Sequence, residues 1–120
     1  MSAATSDMPP LLVACLCAAW CDTCNDYRAV FDSLAAEQEA AADRWVWVDI
    51  EDDEAALGAI DVDDFPTLLI ARGETPFFFG PVMPHAQTAR QLVQCARRGE
   101  LGTAADMRAP ALARAIAAIR

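Results

Sequence analysis

The sequence predicts an α/β domain: a short four-stranded mixed sheet in the order β-α-β-α-β-β-α, flanked by helices and followed by an extra C-terminal helix. Three observations carry this expectation. Residues 11–19, LLVACLCAA, form an unbroken apolar run, as a strand buried on both faces of a sheet requires. Directly behind it the apolar positions recur at helical spacing. Later in the chain, two apolar runs flank Arg72-Gly73-Glu74-Thr75 and read as a hairpin.

Taken in order, residues 1–10 are small and polar, end in Pro9-Pro10, and read as a loose leader. The apolar run then gives the first strand. Tyr27, Val30, Phe31, Leu34 and Ala35 lie on one face of a helix reaching to about Ala42, with Asp22 and Thr23 suited to its first turn. Trp45-Val46-Trp47-Val48-Asp49-Ile50 is aromatic and β-branched, a second strand. A helix crosses between these two strands, so they must run parallel. Asp52 to Ile60 reads as a short helix. Phe65 to Ala71 is a third strand opening with a proline, and Pro76 to Phe79 a fourth. A further helix from about Ala86 to Arg97 buries Ala89, Leu92, Val93 and Ala96 and stops at Gly99. Beyond Gly102 an amphipathic helix starts near Pro110 and carries Leu112, Ile116 and Ile119. The expected organisation is a leader over 1–10, a domain over 11–99 and a helical extension over 100–120.

Composition excludes several functions. The chain has no lysine, since all nine basic residues are arginine, and only one histidine, His85, so lysine chemistry and histidine-rich metal sites are out. Residues 1–64 hold fifteen of the eighteen acids, with only Arg28 and Arg44 against them. Such an acidic half repels phosphate backbones, which argues against nucleic acid as a partner. Leu12-Val13-Ala14-Cys15 resembles a lipoprotein cleavage box, but no basic residue precedes it and Pro9-Pro10 interrupts the apolar run. No apolar stretch approaches the ~18 residues of a membrane span. The expectation is a cytoplasmic protein with no membrane partner, in a compartment where thiols are kept reduced.

Four of the five cysteines fall within ten residues: Cys15, Cys17, Cys21 and Cys24, with Cys95 apart. An odd, clustered set is not a secreted disulfide framework. Cys21 and Cys24 sit where the buried strand hands over to a helix, and the first amides of a helix favour negative charge. A thiolate at Cys21 would collect those hydrogen bonds, with Asp22 beside it opposing. Cys24, one turn further in, is expected to return beneath Cys21 and close a small reversible disulfide. Cys15 and Cys17 share one face of the strand and are expected to be small buried hydrophobes. A bridge between those two is disfavoured, because alternate strand residues lie near the ~7 Å limit for a disulfide.

Trp20-Cys21-Asp22-Thr23-Cys24, with Phe65-Pro66-Thr67 opening a strand some forty residues later and Gly80 after the fourth strand, resembles the thioredoxin family. The resemblance spans roughly residues 10–98. It implies a thioredoxin-like fold and a thiol–disulfide oxidoreductase, with Cys21 as nucleophile and Cys24 as resolving cysteine. It also implies a cis proline at Pro66 and a substrate-binding surface made by Trp20, Phe65, Pro66 and Thr67. Its partners would be protein disulfides and an external thiol reductase or small thiol, with no bound cofactor. Three departures stand out. Ten leader residues cannot supply the strand and helix with which full thioredoxins begin. Cys15 occupies the place of a buried aspartate, and the neighbouring lysine has no counterpart. The dipeptide between the cysteines is Asp22-Thr23, where thioredoxins typically have Gly-Pro.

Other readings of the same residues remain open at this level. Cys17-x3-Cys21-x2-Cys24 matches the cluster spacing of radical S-adenosylmethionine enzymes, which are far longer chains. Four cysteines could hold zinc, although two of them point into a packed interior. A non-catalytic binding or chaperone-like module with a regulatory or structural CxxC is the main alternative. Asp61, Asp63 and Asp64, just ahead of Phe65, are either a solvated turn or a selector of basic partners.

Overall fold

The computed structural model describes residues 10–37, 43–53 and 66–119. Among these, the elements are β1 (Leu11–Cys17), α1 (Asp22–Glu37), β2 (Arg44–Asp49), β3 (Thr67–Arg72), β4 (Thr75–Pro81), α2 (Ala86–Arg97) and α3 (Ala109–Ile119). The leader, the short helix expected over 52–60 and the acidic turn before Pro66 lie wholly or largely outside the described residues.

The sheet order is β2-β1-β3-β4, with β1 parallel to β2 and the other neighbours antiparallel. Bonded on both sides and covered above and below, β1 is buried at every position. This is why its sequence is apolar without alternation. The pleat still sorts its side chains. Leu11, Val13, Cys15 and Cys17 face a core made with Tyr27, Phe31 and Leu34 of α1 and Ala89, Val93 and Ala96 of α2. Leu12, Ala14 and Leu16 face the opposite core, where Leu112, Ala113 and Ile116 of α3 meet Val46, Val48, Leu69 and Ala71.

The helix expected as an extension therefore covers the second face of the sheet. It starts at Ala109, one residue before the expected Pro110. Its entry is tied down by Asp106, whose carboxylate accepts from the Arg108 backbone N–H at 2.9 Å and from the Arg108 guanidinium at 2.8 and 3.1 Å. The same guanidinium lies 5.3 Å from the Phe79 ring centroid.

On β2, Trp45 and Trp47 point toward α1 and meet Phe31 edge-on, at centroid distances of 5.4 and 5.8 Å. Arg28, one helical turn before Asp32, lies over Trp47 at 4.8 Å. The β3–β4 hairpin turns through Gly73, whose φ of +62° suits glycine. At the end of α2, Gly99 takes φ +74°, with its N–H on the Ala96 carbonyl and that of Glu100 on the Cys95 carbonyl. That pair of bonds satisfies carbonyls the helix would otherwise leave open. Asp43 joins the layers, accepting from the Leu11 N–H at 3.2 Å and from the guanidinium of Arg97.

Candidate redox site

β1 ends at Cys17, whose carbonyl accepts the N–H of Ile50 at 2.9 Å. The chain then turns sharply into α1. The Cys21 N–H donates to the Ala18 carbonyl at 3.1 Å, and the Asn25 side chain donates to the Ala19 carbonyl at 3.2 Å. These bonds fix residues 18–21 as a tight connector, with Cys21 immediately before the first residue of α1. Its side chain is half-buried against the α1–α2 side of the core and carries a free thiol.

Cys24 is fully buried, and the structure corrects its expected pairing. Cys24 is joined in a disulfide to Cys17, not to Cys21. The physical reason lies in the pleat and the helix together. Cys17 is the last β1 side chain pointing at α1, and Cys24 is the first buried α1 residue pointing back at the sheet. Their Cα atoms are 5.8 Å apart, within the ~4.4–6.8 Å that a disulfide spans. Cys17 is thus no inert hydrophobe. The alternation along β1 shows in the sequence that Cys15 and Cys17 share a face, but not which of them meets Cys24.

Cys15 behaves as expected. It is fully buried with a free thiol, and its sulfur lies 3.7 Å from that of Cys17. Burial pushes the thiol up to about 12, a shift only partly offset by the charge of Arg28. Tyr27 packs in the same core, and among the described residues its hydroxyl has no hydrogen-bond partner. Burial, with Cys15 adding to it, raises that phenol to about 12 as well.

Of the residues expected to bind substrate, Trp20 stands at the rim with 67% of its surface exposed. Pro66 and Thr67 are buried at the start of β3. Thr67 pairs with Leu16, so Pro66 comes next to Cys17 at the same end of the sheet. The Pro66 carbonyl accepts the N–H of Val82 at 3.0 Å. Phe65 lies outside the described residues, as do Asp61, Asp63 and Asp64. On the other flank, Ala18, Ala19, Asn25, Arg28, Trp47 and Asp49 line a small pocket of about 200 Å³. Cys95 belongs elsewhere, in a groove between β4 and α2. Among the described residues, no group of three or more cysteine, histidine or acidic side chains is arranged to hold a metal ion, and no helix is long and apolar enough to cross a membrane.

No family model matches the chain, and no curated protein matches it in sequence. Its architecture, however, is shared with solved thioredoxins. Chloroplastic thioredoxin z superposes with a TM-score of 0.63 at 18% identity, over 82% of this chain and 86% of that one. Deadhead, a germline-specific thioredoxin of Drosophila melanogaster, gives 0.58 at 18% identity, over 79% and 85%. Thioredoxin f2 of Chlamydomonas reinhardtii gives 0.50 at 21%, over 78% and 83%. The fold is that of thioredoxin.

Proposed function

We propose that this thioredoxin-fold protein is a thiol–disulfide oxidoreductase that reduces or exchanges protein disulfides through Cys21 and Cys24. The observation that carries the reading is the free, half-buried thiol of Cys21 at the head of α1, one turn before a cysteine already engaged in disulfide chemistry. The Cys21 thiolate attacks one sulfur of the substrate disulfide, and the other leaves as a thiol. Cys24 then attacks the Cys21 sulfur of the mixed disulfide and releases the second substrate thiol. Cys21 stands immediately ahead of α1, and the positive end of a helix favours the negative charge that the attacking sulfur carries.

Trp20, Phe65, Pro66 and Thr67 form the surface along which an extended substrate segment lies, with Trp20 and Pro66 flanking the sulfurs. An external thiol reductase or a small thiol returns the electrons, in the reducing cytoplasm, and no bound cofactor takes part. Insulin reduction by dithiothreitol tests this: the protein accelerates precipitation of the insulin chains, Cys21→Ser abolishes the effect, and Cys24→Ser accumulates a mixed disulfide with substrate. A rate equal to that of dithiothreitol alone sinks the reading.

One observation favours a second reading. Cys17 and Cys24 are almost wholly buried, so their bond could be a structural staple in a binding or chaperone-like module. Such a module binds unfolded chains without reducing insulin, and the same assay separates the two.

A further inference from the structure

The Cys24 sulfur can hold one disulfide at a time, and here it holds Cys17 while Cys21 is free. A site of two redox cysteines would, when oxidised, join Cys21 to Cys24 and leave no exposed nucleophile. This site does the opposite: the oxidised bond is inside and the thiol is outside. Cys17 is 1% exposed and Cys24 0%, so a protein thiol cannot approach their bond directly. The neighbouring route to it runs through Cys21, which sits half-buried at the rim and one turn before Cys24 on α1.

Building on the dithiol reading above, we infer that Cys17 is a third redox cysteine, which takes Cys24 from Cys21 after substrate reduction and stores the oxidised state as a buried disulfide. The step is an internal exchange. The Cys17 sulfur attacks the Cys24 sulfur of a Cys21–Cys24 disulfide; the Cys17–Cys24 bond forms and the Cys21–Cys24 bond breaks. Cys21 departs as a thiolate and takes up the proton that Cys17 gave up. No electrons enter or leave, since the substrate disulfide was the oxidant in the preceding steps.

Cys15 does not compete for the bond despite its 3.7 Å contact with Cys17. Alternate residues on a strand are separated by ~6.6–7 Å, at or beyond the upper limit for a bridge. Its burial also keeps the thiol protonated at neutral pH, so it offers no thiolate for attack.

The exchange has a functional consequence. After one turnover the protein again presents a free Cys21, but Cys24 is no longer available to resolve a new mixed disulfide. A second substrate is therefore held until one of its own thiols attacks the mixed bond, which rearranges disulfides instead of reducing them. Reduction resumes when a donor thiol opens the buried bond by way of Cys21 and Cys24.

The linkage can be read directly from the intact chain. The protein is oxidised with one equivalent of diamide and denatured in acid, its free thiols are blocked with N-ethylmaleimide, and chymotrypsin then cuts after Trp20. A Cys17–Cys24 bond holds the peptide ending in Trp20 to the peptide beginning with Cys21, and Cys21 carries the label; this is the expected result. A Cys21–Cys24 bond lies within one peptide, leaves the two fragments separate and puts the label on Cys17; this overturns the inference. In a Cys95→Ala background, the oxidised native protein should show one fast-reacting thiol, and adding Cys17→Ala should abolish it. The peptide linkage decides the matter even if that double variant fails to fold. A Cys21–Cys24 bond in a protein that reduces insulin removes the third cysteine and leaves the reductase reading intact. Failure to reduce insulin removes the reading itself, and with it the exchange.

Discussion

Cys15 occupies the place where the thioredoxin resemblance implies a carboxylate, and it changes what the centre of the sheet can do. A buried aspartate could accept a proton near neutral pH; a thiol pushed up to about 12 by burial cannot. The same shift fixes a pH dependence of stability. The unfolded thiol ionises near its ordinary value of 9.0, whereas the folded one stays neutral until about 12. The folded pKa is the higher, so this contribution is fully present below pH 9 and is lost as pH rises toward 12. Tyr27 acts in the same direction between 10.0 and about 12. Within its window each group costs on the order of 1 kcal/mol of stability per pH unit. Cys15→Val removes one of the two, so its denaturation midpoint should fall less steeply above pH 9 than that of the parent. Parallel alkaline limbs in reducing urea titrations would mean that Cys15 is not what limits stability there. The sequence made the burial of Cys15 legible, because an apolar run without alternation has no exposed face. It did not make the partner of Cys24 legible, because the spacing C-x-x-C is local, whereas the meeting of Cys17 with Cys24 depends on how α1 lies across β1.

At the scale of elements, the strands, α1 and α2 were readable because each carries its own periodicity and its own stop, such as Gly73 between β3 and β4 and Gly99 after α2. The helix α3 was readable as a helix but not as half of a core. An apolar stripe shows that a helix must cover something, and the chain alone does not say which surface lies open. In the fold, α3 covers the face of the sheet opposite α1 and α2. Leu112, Ala113 and Ile116 rest there on Leu16, Val48, Leu69 and Ala71. Ile116 is fully buried, so Ile116→Ala should destabilise the whole domain by about 2–5 kcal/mol, the usual cost of such a truncation. The loss should appear as one cooperative transition at lower denaturant, read in parallel by far-UV circular dichroism and by the fluorescence of Trp45 and Trp47. If the tryptophans on the opposite side of β2 reported an unchanged midpoint, α3 would be an independent appendage.

For the whole molecule, the uneven charge seen in the sequence gathers acidic residues at the redox end of the sheet. The acidic half of the chain supplies β1, α1 and β2, which build the redox end of the sheet, while the later half carries seven of the nine arginines. Because β2 runs parallel to β1, its loop emerges at the same end as Cys17, bringing exposed Glu51 and Asp52 to the side of the sheet where Asp22 and Asp26 stand exposed on α1. Arg28, stacked on Trp47, is the nearby counter-charge. Like charges at a mouth raise the local concentration of oppositely charged partners and slow the approach of others. Two peptide disulfides that differ only in flanking residues, lysine in one and glutamate in the other, should therefore be reduced at different rates. Near 0.01 M ionic strength, where the Debye length is about 30 Å, the basic peptide should lead by roughly tenfold or more. At 1 M salt the screening length shrinks to about 3 Å and the ratio should approach one. Replacing Asp22 and Asp26 with asparagine should narrow the low-salt ratio while leaving the high-salt rates close together. A preference that persists unchanged at 1 M would mean that direct contacts with the substrate, and not the field of the acidic end, choose it.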